Sequence, residues 1–195
     1  MHLLRTYGFG NGCAYSINLY NLDNSYCIFL ALYYMVPLRY LPNKLSNRDR
    51  KLQTKMLLKS RRMYKQGKYY TRKIVKSFHS KPSSHVANAK RAYGVDRIGA
   101  TTELAKKTGC SKAALNKIIS KGEGAYYSSG SRPNQTAQSW GVARLASALT
   151  SGKAGAIDYH ILVDGCKSGS RGYKAAQLSR KIYGHGTRRV PKAKS

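Results

Sequence analysis

The sequence predicts a mainly α-helical chain: a small helical domain containing a helix-turn-helix-like hairpin, with an extended N-terminal segment before it and a basic C-terminal arm after it. Three observations predict this. Apolar residues recur at helical spacing between hydroxyl-bearing starts and glycine stops. Residues 102–119, TELAKKTGCSKAALNKII, have the pattern of two short helices around a glycine turn. Clusters of Gly, Ser and Pro punctuate the remainder. Four regions follow: a neutral Tyr/Asn-rich extension over residues 1–38, a basic helix and arm over 39–81, a helical core over 82–165 that holds the hairpin at 101–121, and a basic tail over 166–195.

Residues 1–38 carry one cation, Arg5, and one anion, Asp23. Their most apolar run, residues 26–36, is 11 residues long. A spanning helix needs about 20, so this run alone does not cross a bilayer. A secretory signal would start with cations and end at small residues, and neither feature stands out. Two alternatives remain: a strand or short helix docked on a partner or membrane face, or an upstream extension with Met35 as the functional start. The cluster Gly8-Phe9-Gly10-Asn11-Gly12 lacks the lysine and helix start of a phosphate loop.

In the second region, Ser46 with Asp49 three residues on is a capping-box start. Leu52, Met56, Leu57 and Met63 supply a narrow apolar stripe, and Gly67 is a stop. The other side chains of this helix over residues 46–66 include Lys51, Lys55, Lys59, Arg61, Arg62 and Lys65. A solvated basic face is the plain alternative, but so dense a set with almost no counter-charge favours a surface that faces phosphate or lipid. Tyr69, Tyr70, Arg72, Ile74 and Val75 suggest a short strand or extended arm, and residues 80–84, SKPSS, a linker.

A short helix is expected over residues 85–93, with His85 on its surface and Gly94 as its stop. The hairpin follows. Leu104, Ala105, Leu115 and Ile118 would form its small core, Gly109 would take the positive φ that leaves the first helix, and Ser111 would cap the second. On a duplex the second helix would enter the major groove with Lys112, Ala113, Asn116, Lys117 and Lys121 outward; Asn116 suits an adenine edge and the lysines suit phosphates. Helical hairpins with this pattern also serve as packing or protein-docking units. Residues 122–136, GEGAYYSSGSRPNQT, read as a turn-rich loop in which Arg132 with Tyr126 and Tyr127 could hold a phosphate or a stacked base, or simply brace the next helix. That helix runs over residues 134–149 with Trp140 as a core anchor. Residues 157–163 are expected to be buried. The tail offers one weak basic helix over 173–183 and a cationic end, HGTRRVPKAKS.

Charge narrows the partner. The chain has 36 Lys and Arg against seven acids, a net charge of +29, and all of the excess lies in residues 39–195. Such a chain repels itself unless a polyanion compensates it: nucleic acid first, an anionic membrane surface or an acidic protein face otherwise. Sixteen Tyr against three Phe and one Trp suit an interface that is half apolar and half wet. Cys13, Cys27, Cys110 and Cys166 form no CxxC pair and have no histidine at metal-ligand spacing, so free buried thiols in a reducing compartment are expected, with no zinc site. Asp158 and His160, with Asp164 nearby, are the closest approach to a catalytic set, and seven acids leave few carboxylates to cluster on a metal. The chain is therefore expected to be no enzyme and to use no cofactor, metal or small-molecule substrate.

Several blocks agree in order with one known group of sequences: YLPNKLSNRDRKLQTKMLLKSRRMYKQGKYYTRKIVKSF, YGVDRIGATTELAKKTGC, GEGAYYSSGSRPNQTAQSWGVARLASALTSGKA and HGTRRVPK. From Tyr40 to Pro191 the chain resembles a family of uncharacterised basic proteins encoded by giant (nucleocytoplasmic large) DNA viruses of algae and amoebae. Residues 1–38 lie outside the likeness. The resemblance implies a viral setting, with the protein in the particle as a minor capsid or internal component and in the host cytoplasm or nucleus during assembly. Its partners would be other virion proteins together with nucleic acid or an anionic membrane surface. A DNA-binding protein, architectural or regulatory, that uses residues 101–121 is the second expectation, and an enzyme acting on nucleic acid through Asp158 and His160 the third.

Overall fold

Hydroxyl-bearing residues start most of the longer helices. The structure, a computed structural model, describes residues 36–186. The expectations for residues 1–35, including Met35, Cys13 and Cys27, and for the tail from residue 187 lie outside the described residues. The helices are α1 (Asn47–Lys65), α2 (Ser84–Tyr93), α3 (Thr102–Thr108), α4 (Lys112–Ser128), α5 (Ala137–Leu149), α6 (Lys153–Ile157), α7 (Tyr159–Gly165) and α8 (Arg171–Tyr183), after a 3-10 turn at Leu38–Tyr40. The fold is mainly α, and no strand occurs among the described residues. The hydroxyls of Ser46, Thr101, Ser111, Thr136 and Ser170 each accept from the backbone N–H three residues on, at 3.0–3.4 Å. Each such cap stabilises its helix by about 1 kcal/mol.

The main core lies between α2, α3, α4, α5, α7 and α8. It contains Tyr93, Ile98, Leu104, Leu115, Ile118, Leu145, Leu149, Leu162 and Ala176. The hairpin is present as expected: Gly109 has φ +73°, Ser111 caps α4, and Leu104, Leu115 and Ile118 are fully buried. Helix α1 stands beside this core over two smaller clusters. In one, Leu57 packs with Val36, Tyr40 and Leu41, with Trp140 against them; in the other, Met56 packs with Leu45 and Val75.

Several expectations are corrected. The buried face of α1 is Gln53, Thr54, Met56, Leu57 and Ser60, not a stripe through Leu52 and Met63; Leu52 is exposed and Met63 only half-buried. Polar residues sit on that face because each has a partner. Gln53 Nε2 donates to the carbonyls of Tyr40 and Ser131, and the Ser60 hydroxyl donates to the Tyr127 carbonyl. Asp49 does not complete a capping box with Ser46; its carboxylate accepts from the Ser77 N–H and hydroxyl at 2.8 and 2.7 Å. Those bonds hold its pKa below the ordinary 3.8.

Residues 122–128 continue α4 instead of opening a loop. Their glycines serve close approach: a Cβ on Gly122 would lie 2.5 Å from the Cα of Gly141, so α4 and α5 cross backbone to backbone. Ile157 is exposed, because the apolar segment divides into two short helices and only Leu162 of α7 is fully buried. The helix expected within the basic tail is α8, whose Gly172, Ala175, Ala176 and Ser179 are buried against the rest.

Cys110 and Cys166 are not free thiols. They form a disulfide across 56 residues, with Ser111 N–H donating to the Gly165 carbonyl and Lys167 N–H to the Gly109 carbonyl on either side. A Cβ on Gly172 would meet the Cys110 sulfur at 2.3 Å, so only glycine leaves room there. The bond ties the hairpin turn to the end of α7 and corrects the expectation of free thiols at these two positions.

Candidate polyanion-binding surface

The cations of α1 sort by helical position. Arg48, Lys51, Lys55, Lys59 and Arg62 are three or four residues apart, so they form one stripe, roughly opposite Gln53, Leu57 and Ser60. The stripe spans about 21 Å at the rise of an α-helix. Lys51, Lys55, Lys59 and Arg62 are exposed, as is Lys65 at the helix end. Lys59 Nζ sits 4.6 Å from the Tyr70 ring centroid. Among the described residues both ion pairs fall on Asp158, and none falls on this stripe. Arg61 is different: half-buried, it donates to the Ser129 carbonyl at 2.8 Å, and burial pushes its pKa down.

The hairpin residues divide. Lys112, Asn116 and Lys117 are exposed on α4, as expected. Asn116 lines a groove with Lys90, Asp96, Arg97 and Glu123, so the groove holding the side chain expected to read a base has two acids as well as two cations in its walls. Lys121 reaches the carboxylate of Asp158 at 2.8 Å, with 45% of its side chain exposed. Arg144 donates to both oxygens of that carboxylate, through bonds of 2.6 and 2.8 Å, and shares Oδ1 with Lys121. Asp158 is completely buried between them, while His160 and Asp164 are exposed. The expected acid–base set is thus not assembled: Asp158 is occupied as an internal counter-ion. No group of His, Cys, Asp and Glu that could hold a metal ion occurs among the described residues.

Arg132 is exposed beyond the turn at Gly130 and does not pair with Tyr126. That place is taken by Arg72, which sequence reasoning put only on an arm. Its guanidinium lies 3.6 Å from the Tyr126 ring centroid and donates to Ser131 Oγ at 2.6 Å and to the Tyr126 carbonyl at 3.0 Å. Burial lowers its pKa, an effect that Tyr126 opposes. The arm has no regular secondary structure and is not a strand. Asn134, at φ +57°, clamps it by accepting from the Val75 N–H and donating to the Val75 carbonyl, at 2.8 and 3.0 Å.

Sequence reasoning also missed a group of rings. Gly67 (φ +72°) turns the chain after α1 and brings Tyr69 back to 6.1 Å from Tyr64. Tyr127 of α4 lies 4.9 Å from Tyr69 and 6.4 Å from Tyr64, with the Tyr64 and Tyr127 planes only 6° apart. The surplus of tyrosine was the available signal, but nothing in the spacing placed residue 127 beside residues 64 and 69.

These features define a small helical protein with a cationic stripe, a ring cluster and a buried ion-pair hub. The chain belongs to a family of unknown function, DUF5824, which matches residues 37–161, well over half of it. The matched region takes in the stripe, the tyrosines, the hairpin and Asp158, and stops short of Cys166 and α8. The chain matches no curated protein and no solved structure.

Proposed function

We propose that this protein is a non-enzymatic structural component that holds nucleic acid through the α1 stripe. The setting we propose is the particle of a large DNA virus, where it would bridge shell proteins and packaged genome; that setting rests on the sequence blocks described first. The observation that carries the function is the stripe itself: five cations on one open helix face, of which only Arg48 has an acid, Asp49, near enough to interact, and none of which forms an ion pair among the described residues. Its length matches about six phosphates of one strand, at about 3.4 Å of duplex axis each. A membrane surface fits less well. An interfacial helix buries an apolar face in lipid, whereas Met56 and Leu57 of α1 already pack inside the protein. The hairpin is the weaker candidate for duplex contact because the groove that Asn116 lines carries two acids, Asp96 and Glu123, against two cations, Lys90 and Arg97.

The test is duplex binding as a function of salt. Five phosphate contacts give a slope of log K against log[salt] of about −4.5. Replacing Lys51, Lys55, Lys59 and Arg62 together by Gln should bring that slope toward about −1 for any duplex sequence. An unchanged slope would overturn the assignment to α1. Tight binding of the wild type to anionic vesicles in place of duplex would overturn the choice of partner. Mass spectrometry of purified particles tests the setting, and absence of the protein from them would refute it.

A further inference from the structure

We infer that Tyr64, Tyr69 and Tyr127 form a stacking platform for unpaired bases, giving the protein a single-stranded nucleic-acid site separate from the α1 stripe. The inference deepens the nucleic-acid reading by naming a second form of the same ligand. Four observations carry it. The first is exposure: Tyr69 is 69% and Tyr64 37% exposed, although packing usually hides large rings. The second is arrangement. Each ring has the other two as neighbours within 6.4 Å, so the cluster is one continuous aromatic surface.

The third observation is preorganisation. Gly67 N–H donates to the Tyr64 carbonyl and Lys68 N–H to the Met63 carbonyl, which fixes the turn that delivers Tyr69. Arg72 then pins the following arm through Tyr126, Ser131 and Ser60. A platform held in this way loses little entropy when a ligand arrives.

The fourth observation is charge. Lys65 and Lys68 adjoin Tyr64 and Tyr69 in sequence, and both are exposed. On α4, Lys117 and Gly124 share one face, with Lys121 between them engaged by Asp158, and a Cβ on Gly124 would lie 3.4 Å from the Tyr64 hydroxyl. The face of α4 that carries the exposed Lys117 therefore runs toward the rings. Tyrosine clusters elsewhere in proteins bind quaternary ammonium groups, but cations on both flanks repel such a ligand. Aromatic faces bordered by cations suit a strand whose bases stack while its phosphates meet lysine. In a paired duplex the base faces are covered, so this site should distinguish the two forms.

The experiment compares a twelve-residue oligo(dT) with a duplex of the same length, using the full chain at one salt concentration. Tyr69→Ala should weaken oligo(dT) binding by about 5- to 150-fold, the range for losing one stacked ring, and leave duplex binding within about twofold. Tyr64→Ala should act in the same direction. Tyr69→Phe should keep wild-type affinity, and so should Tyr183→Ala, which removes an exposed ring on α8. Unchanged oligo(dT) binding in Tyr69→Ala, or equal losses for both ligands, would overturn the platform. If the fourfold α1 variant retains duplex binding while Tyr69→Ala loses oligo(dT), the stripe fails and the platform stands.

Discussion

Replacing Asp158 by Asn should destabilise this protein more than any change among its exposed charges. The carboxylate is wholly buried and takes two bonds from Arg144, whose side chain is 19% exposed, and one from Lys121, whose side chain is 45% exposed. Asn keeps the shape but removes the charge, so Arg144 stays buried without a counter-ion. Breaking a buried pair in this way costs about 3–5 kcal/mol, and the partial exposure of Arg144 places this case near about 3 kcal/mol. A chain of this size loses about 2–4 °C of Tm per kcal/mol, so the midpoint should fall by about 6–12 °C in thermal unfolding followed by far-UV circular dichroism. Lys121→Ala, at the wet end of the same cluster, should cost under about 1 kcal/mol. The double variant Asp158→Leu with Arg144→Leu should recover most of the loss, because no unpaired charge remains. An Asp158→Asn protein within 1 kcal/mol of wild type, or a Lys121→Ala protein equally damaged, would refute the hub.

Other outcomes follow from the packing. Gly141→Ala should destabilise by about 1–3 kcal/mol despite the better helix propensity of alanine, because its Cβ would meet the Ile119 carbonyl at 2.7 Å; a rise in denaturant midpoint would contradict the close α4–α5 crossing. Reducing the Cys110–Cys166 bond should cost about 4 kcal/mol by loop closure over 56 residues, and an unchanged midpoint in dithiothreitol would contradict it. Asp49 has a depressed pKa, so its contribution is present above 3.8 and disappears as pH falls through its folded-state value. Asp49→Asn should therefore flatten the acid limb of a stability–pH profile; an unaltered limb would show that the Ser77 bonds carry nothing.

Local signals were legible and distant ones were not. Ser46, Thr101, Ser111 and Thr136 mark helix starts because a cap is decided within three residues, and Gly94 and Gly109 mark stops through positive φ. The buried face of α1 was misread because Gln53 and Ser60 look like surface residues until their partners, the carbonyls of Ser131 and Tyr127, are in place. Gly122 looks like a loop residue unless Gly141 is known to cross it. The disulfide depends on the antiparallel pairing of residues 56 positions apart, which no spacing rule reaches. Of the expected site residues, Lys51, Lys55, Lys59 and Arg62 form one surface, and Arg48, outside that expected set, joins them. Lys121 was placed correctly on the outside of α4, but its ammonium is engaged with Asp158.

Lysine-selective chemical labelling of the full chain, read by mass spectrometry with and without bound nucleic acid, tests the central claim most directly. Lys51, Lys55 and Lys59 should lose reactivity together in the complex, while Lys106 and Lys107, exposed on α3, label equally in both states. Stripe lysines that stay fully reactive in a saturated complex would contradict the claim.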